Sequence, residues 1–331
     1  MLEDNIYMKN IQKPWIKIKE NIDLEDYHML NQLQERCIGA DQTALKLELD
    51  YKLSISTTES KGSGIKYANE FMYFDGDKII GYIGLASFGG EGAPMEANGM
   101  VHPEYRSQGV FKTLSNLAME EWKRRSTKSM LLLCDRESEA GQKLIAAMGL
   151  PLEHSEYEMY LKQEGSEKPY VNTSGITFRK ATNADAYEVA RQNNIYFNDE
   201  FKDFQNDAEN NLAISAEGEE DLLKEGMILP EEEEKKGMTI YIAEKDHQII
   251  GKAHIELSSD VGGIYGLGVL PEHRGKGFGR AILMMAVEKL KEANAREIKL
   301  QVVTENSNAL NLYKSCGFVE TSIMDYYEIK R

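Results

Sequence analysis

Apolar residues alternate with polar ones in short runs, then recur at helical spacing, and this succession passes along the chain twice. In the first pass Trp15 to Ile22 predicts a strand and Asp23 to about Ile38 a helix opened by an acid; Ala40 to Glu59 reads as a further helical region carrying Leu45, Leu47, Leu49 and Leu53. Phe71 to Phe74 and Ile79 to Ser87 form a hairpin through the turn-forming run Asp75-Gly76-Asp77. Met95 to His102 is a strand and Val110 to Arg125 a helix, after which Met130 to Cys134, Ser138 to Met148 and Glu153 to Leu161 read as strand, helix and strand. The second pass opens at Gly175-Ile176-Thr177-Phe178. Its clearest helix carries Ile282, Leu283, Ala286, Val287 and Leu290 on one face, from Gly277 to about Lys291.

The two passes are an internal duplication. Arg106 and Arg274, Gly109 and Gly277, and Gly149 and Gly317 all stand 168 residues apart, so strand end, loop, helix and final helix keep register without a gap. Each copy is long enough to be a domain of its own, which divides the chain into residues 1–165, a linker at 166–174 beside Gly165, with Ser166, Pro169 and Ser174, and residues 175–331. Where the second copy has Gly279, Asn306 and Tyr313, the first has Phe111, Ser138 and Ile145.

Composition narrows the classes. Among 331 residues, 55 acids outnumber 39 Lys and Arg, giving a net charge of −16, and so acidic a surface repels nucleic-acid phosphate and anionic lipid. Neither nucleic acid nor membrane is an expected partner. Cys37, Cys134 and Cys316 are odd in number and widely spaced, which fits neither a disulfide framework nor a zinc site, so no metal is expected. The N-terminal residues hold acids and no apolar leader, and the longest apolar run, Ala281 to Val287, is far below the roughly 18 residues of a membrane span, so the expected location is cytoplasmic.

The chemistry gathers at Tyr265 to Gly279, YGLGVLPEHRGKGFG, a strand that Pro271 ends and that runs through Gly275, Gly277 and Gly279 into a helix start. Glycines at a helix mouth let a ligand approach the backbone, and the unpaired N–H groups there favour an anion. The spacing fits neither a phosphate loop with Lys and Ser or Thr after its last glycine nor a dinucleotide fingerprint. Arg274-Gly275-Lys276-Gly277-Phe278-Gly279, read as Arg/Gln-x-x-Gly-x-Gly/Ala, resembles the acyl-CoA pyrophosphate loop of the GNAT superfamily of N-acyltransferases. Asn306, Ala309 and Tyr313, followed by Gly317 and Phe318, resemble that family's second signature. The resemblance implies an α/β (α+β) chain of two tandem GNAT-like domains, each a mixed, mostly antiparallel central sheet flanked by helices, an architecture shared with tandem acetyltransferases.

On this resemblance acetyl-CoA is the expected co-substrate of the second domain. Backbone groups of Leu267, Gly268 and Val269 would pair with the pantetheine arm along a splayed strand, with the Val269 N–H facing the thioester carbonyl, an effect worth about 3 kcal/mol for a single donor. Arg274, Gly275, Lys276, Gly277, Phe278, Gly279 and Arg280 would wrap the pyrophosphate, Asn306 would bond the arm, and Tyr313 would protonate the leaving thiolate. A phenol near 10 suits a thiol near 8.5. Glu256 and His254, on one face of the neighbouring strand, and Tyr265 are the candidates for the base that an ammonium acceptor needs. Cys316, three residues after Tyr313, raises a covalent route, but no paired histidine is in view and direct transfer is preferred. The first copy, lacking the tyrosine, is expected to be catalytically idle.

The acceptor is expected to be a small-molecule primary amine. Phe197, Phe201 and Phe204 stand at i, i+4 and i+7 and read as core or as a pocket wall. Gln205 to Lys236 carries eleven acids against three bases, half of the chain's net charge, and reads as a solvated loop or as a lid for a cationic amine. The competing reading is a non-catalytic acyl-CoA-binding sensor or protein-interaction module.

Overall fold

The computed structural model describes residues 8–58, 66–87, 94–162, 175–197 and 227–331. The join at 163–174, Phe201, Phe204 and the acidic run up to residue 226 lie outside the described residues. The chain divides into two compact units, residues 1–156 with 322–331, and residues 157–321.

In the first unit β1 (Pro14–Lys19), β2 (Glu70–Asp75), β3 (Lys78–Ala86) and β4 (Met95–Val101) follow one another antiparallel, and β5 (Ser129–Asp135) then pairs parallel with β4. Helix α1 (Leu24–Asp41) starts at a capping box in which Asp23 accepts from the Asp26 N–H and Asp26 reaches back. The region read as helical from Ala40 divides: Gln42 and Glu48 take left-handed φ of 55° and 51°, and α2 (Leu49–Thr58) begins only at Leu49. Leu45, Leu47 and Leu49 recur every second residue, which is the spacing of extended chain, and Leu47 and Leu49 are buried along it. Helix α3 (Val110–Lys123) buries Val110, Leu114, Ala118 and Trp122 on one face of the sheet, while Leu30, Leu33 and Cys37 of α1 meet Met72, Tyr82 and Met100 on the other. Helix α4 (Glu139–Met148) follows β5.

The second unit repeats the plan with β7 (Ile176–Lys180), β8 (Met238–Lys245), β9 (Gln248–Ser258) and β10 (Val261–Val269) antiparallel, and β11 (Glu297–Val303) parallel to β10. Helix α7 (Phe278–Glu292) buries Ile282, Leu283, Ala286, Val287 and Leu290, the face that the periodicity predicts. Helix α5 (Ala186–Phe197) packs Val189 against Ile240 and Ile242 on the opposite face. Short α6 (Pro230–Lys235) and the later α8 (Ser307–Ser315) complete the helices among the described residues. In each unit a mixed, mostly antiparallel sheet is flanked by helices, the predicted fold class.

One division differs from the boundaries drawn on the sequence. Strand β12 (Phe318–Lys330) begins in the second unit, but from Ser322 it belongs to the first, where Met324–Lys330 run antiparallel to Ser129–Asp135 of β5. Conversely β6 (Leu152–Leu161) belongs to the second unit from Tyr157 onward. Sequence order places a strand in the chain but does not choose its partner edge.

What positions the site is a splay repeated in both units. Strand β10 pairs with β11 only over Val261–Ile264 against Glu297–Leu300, although both strands continue. The register with β9 shifts between Tyr265 and Gly268, around Gly266 at φ 53°. In the first unit β4 pairs with β5 only over Met95–Ala97.

Candidate active site

Beyond the splay, the Leu270 N–H donates to the Ile250 carbonyl on β9, 2.9 Å away. Successive N–H groups of a strand point to opposite sides, so the Val269 N–H turns into the gap that β11 has left. A 3-10 turn at Pro271–His273 then leads to the glycine loop. Gly275 and Gly277 have φ of 73° and 83°, and a Cβ at either would meet nothing within 4 Å, so backbone conformation and not packing calls for glycine there. Gly277 caps α7 without a side chain, and the N–H groups of the first turn, from Phe278 onward, have no acceptor within the helix.

The loop side chains take different places. Arg274 Nε donates to the Val269 carbonyl at 3.0 Å, bracing the loop against the strand end, and its two terminal nitrogens meet no carboxylate among the described residues. Lys276 Nζ donates to the Glu272 carbonyl. The Phe278 ring is buried in the core, so only its backbone can face a ligand. The Arg280 guanidinium turns to the end of α8, donating to Ser315 Oγ at 2.7 Å and to Cys316 Sγ at 3.3 Å. A Cβ at Gly279 would lie 3.3 Å from Leu312, so loop and α8 meet there.

Two residues expected at the site, Asn306 on the pantetheine arm and Tyr313 as the acid, are more constrained than their types suggest. Asn306 Oδ1 accepts from the Ala309 N–H and caps α8, a task that Ser138 performs for Gly141 in the first unit, so the exchange of Asn for Ser preserves the cap. Burial pushes the Tyr313 phenol up to about 12, away from the value near 10 expected of an ordinary tyrosine acid. It stays protonated across the working range but matches a thiol less closely. Burial also raises the Cys316 thiol, which disfavours a thiolate nucleophile.

On the face covered by α5, His254 stands opposite Tyr265, Glu256 opposite Gly263, and Lys252 opposite Gly268. Glu256 accepts from Ser258 Oγ and lies two residues, roughly 7 Å, from His254 along the strand. The sequence reading missed Lys252. It is 0% exposed, its Nζ is 3.1 Å from His254 Nε2, and it donates to the Gly266 carbonyl at 3.0 Å, within the bulge. The Tyr196 and Phe197 rings lie 5.5 and 5.9 Å from Nζ, and a Cβ at Gly268 would overlap Tyr196. Burial lowers the amine to about 7 and, with Lys252 alongside, pushes His254 well below its ordinary value. A lysine sharing a strand face with a histidine, amid Ile249, Ile250, Ala253 and Ile255, was the available signal.

In the first unit Arg106 makes the same brace to the Val101 carbonyl, but its terminal nitrogens are held by Asp41 at 2.6 and 2.7 Å. The splay there opens a cavity of about 810 Å³ lined by Asn98, Val101, Arg106, Phe111, Leu132 and Ser138. At the position of Lys252 stands Tyr82, which donates to Glu70, itself paired with the buried Lys52. No cluster of three or more His, Cys, Asp or Glu side chains suited to a metal ion occurs among the described residues. No described helix is long and apolar enough to cross a membrane.

A profile of the acetyltransferase (GNAT) family matches residues 30–150 and again 198–318. An N-alpha-acetyltransferase of Sulfurisphaera tokodaii is 39% identical over 67 residues, 20% of this chain and 40% of the relative. A mycothiol acetyltransferase of Thermomonospora curvata is 30% identical over 90 residues, 27% of this chain and 30% of the relative. A spermidine N(1)-acetyltransferase of Vibrio cholerae is 43% identical over 53 residues, 16% of this chain and 31% of the relative. The chain thus spans well under half the length of each of these three. Among solved structures, a tandem GNAT protein from the clavulanic acid biosynthesis pathway matches 96% of this chain and 98% of its own at a TM-score of 0.66 and 14% identity. A GCN5-related N-acetyltransferase from Sphaerobacter thermophilus matches 95% of both chains at a TM-score of 0.65 and 14% identity, so both show the shared fold. The chain belongs to the acetyltransferase (GNAT) family and carries two of its domains in tandem.

Proposed function

We propose that the second unit, through residues 175–331 less the end of β12, transfers the acetyl group of acetyl-CoA directly to a small-molecule primary amine. One observation carries this reading: a strand edge freed after Ile264 meets a glycine loop whose first-turn N–H groups lack a cap and whose Arg274 head is unclaimed by acid among the described residues. The fit to the co-substrate follows from the same donors. Loop N–H groups and Arg274 suit a pyrophosphate, and the Val269 N–H in the gap suits a carbonyl oxygen gaining negative charge. Tyr313 donates a hydrogen bond to the departing sulfur, and His254, with Glu256 as the more distant candidate, takes the proton that the amine gives up. A cationic acceptor is consistent with the acidic run between Gln205 and Lys236.

Replacing Tyr313 by Phe tests the transfer. Turnover, followed as free-thiol release, is expected to fall at least ten-fold while calorimetric affinity for acetyl-CoA stays within about two-fold; unchanged turnover rejects Tyr313 as donor.

The 810 Å³ cavity favours a second reading for the first unit, that of a non-catalytic acyl-CoA holder. Against it stands Asp41, which already occupies the Arg106 head. Calorimetric stoichiometry separates the two: one acetyl-CoA per chain leaves the first unit idle, and two make it a holder.

A further inference from the structure

Lys252 differs from Lys52, the other buried lysine among the described residues. Lys52, in the first unit, is neutralised by Glu70 at 2.7 Å. Lys252 has no carboxylate within ion-pair distance among the described residues; its neighbours are His254, the Gly266 carbonyl and two aromatic faces. The titratable groups around it are few. His254 and, beyond it, Glu256 are on its own strand, Tyr265 lies across on β10 beside His254, and Tyr196 comes from α5 with its hydroxyl donating to Gln192, which in turn donates to Glu188, itself paired with Arg191; β8 contributes Ile240 and Ile242. An unpaired ammonium in such a place is costly, so above about pH 7 the resting amine is mostly neutral. Yet the surroundings also tolerate the charged form, since a backbone oxygen and two ring faces are what a transient ammonium needs. A basic lone pair that is neutral at rest and supported once protonated is a proton store.

Resting on the acyl-transfer reading above, we propose that Lys252 is the terminal proton acceptor of the reaction and that His254 relays the proton to it. The acceptor arrives as an ammonium. Its first proton passes to the ring nitrogen of His254 that does not face Lys252, while the Nε2 proton moves to the lone pair of Lys252 Nζ, leaving a neutral imidazole, a buried ammonium and a free amine. The amine nitrogen then bonds to the thioester carbon and the C–S bond breaks. Tyr313 gives its proton to the thiolate, which leaves as thiol, and the second nitrogen proton restores the phenol, so the pair holds the single proton that the overall reaction releases and returns it to solvent before the next cycle. The bulge serves this arrangement, because it turns the Gly266 carbonyl onto Nζ beside the segment, Leu267 to Val269, that borders the gap.

The test uses the full chain with lysine ε-carbons labelled with 13C, titrated by NMR from pH 5 to 10.5, and compares the parent with Lys252→Met and Lys252→Arg. One lysine resonance is expected to titrate near pH 7 and to be missing from both variants; if every lysine titrates above about 9.5, the proposal is overturned. Turnover is then followed against pH with acetyl-CoA and spermidine, glucosamine or a peptide with N-terminal alanine. Lys252→Met is expected to lower kcat at least ten-fold and to remove the limb near pH 7, with KM for acetyl-CoA within two-fold. Lys252→Arg, which keeps a charge but cannot accept a proton, should be as slow. An active parent whose Lys252→Met variant keeps both kcat and pH profile overturns this proposal alone. A parent that binds acetyl-CoA but acetylates none of the three amines overturns the acyl-transfer reading itself, whatever the lysine does.

Discussion

Lys252 couples protonation to stability, and the sign follows from its burial. Its folded-state value of about 7 lies below the 10.5 of an exposed lysine. Between those values the unfolded chain binds a proton that the folded one does not, so this group makes stability rise with pH through that window, and below pH 7 its full penalty is felt. Each tenfold weakening of proton binding on folding costs about 1.4 kcal/mol at low pH, an upper limit for a site that can relax. Lys252→Met is therefore expected to be more stable than the parent at pH 7 by roughly 2–4 kcal/mol in urea unfolding, with the gap closing towards pH 10. A gap that is constant from pH 7 to 10 would mean the amine is not neutral in the fold. Tyr313, Asn306 and the loop glycines stand out as candidates from their spacing; for Lys252 the strand pattern signals only a lysine on a histidine's face, because its character comes from the absence of a nearby acid, which only folding decides. The same limit applied to Arg280, whose head turns to Ser315, and to Asn306, whose oxygen is spent on a cap.

The glycine loop keeps one backbone path in both copies despite different side chains. Gly277 and Gly109 have φ of 83° and 81°, and where Gly275 has 73° the first copy holds Ser107 at 59°. A side chain in that region costs about 1 kcal/mol, yet the path persists, so the loop and the helix it starts act as one unit. Gly275→Ser in the second copy is thus expected to retain acetyl-CoA affinity within about three-fold, since a Cβ there meets open space. Gly279→Phe, which copies Phe111, places a ring against Leu312 and Val269 and should weaken binding at least ten-fold. Equal binding by the two variants would separate the loop from the pyrophosphate. Elements with a full period were legible: α7 from its five buried apolar positions and the β2–β3 hairpin from its Asp75-Gly76-Asp77 turn. The stretch from Ala40 to Leu49 was not, because leucines every second residue and a helical neighbourhood pull in opposite directions.

The duplicated plan was visible in the constant spacing of 168 residues, but the exchange at the chain's end was not, since nothing in a strand's own residues states which open edge it will meet. Its consequence can be measured. Residues 322–331 belong to the first unit, where β12 completes the edge of β5, Arg136 is held by Asp325 at 2.6 Å, and Arg331 reaches the Trp122 carbonyl. Removing them should expose Leu131 and Leu133 and leave the N–H and C=O groups along β5 without partners. Both tryptophans of the chain, Trp15 and Trp122, lie in the first unit, so their fluorescence reports it selectively. A chain ending at Thr321 is therefore expected to lose several kcal/mol from the tryptophan-detected unfolding transition, or to lose that transition altogether. The second unit keeps α7, α8 and the glycine loop in this shortened chain, so acetyl-CoA binding at that loop should persist. If the tryptophan transition stays at its parental midpoint while acetyl-CoA binding disappears, the last ten residues act in the second unit and the exchange is wrong.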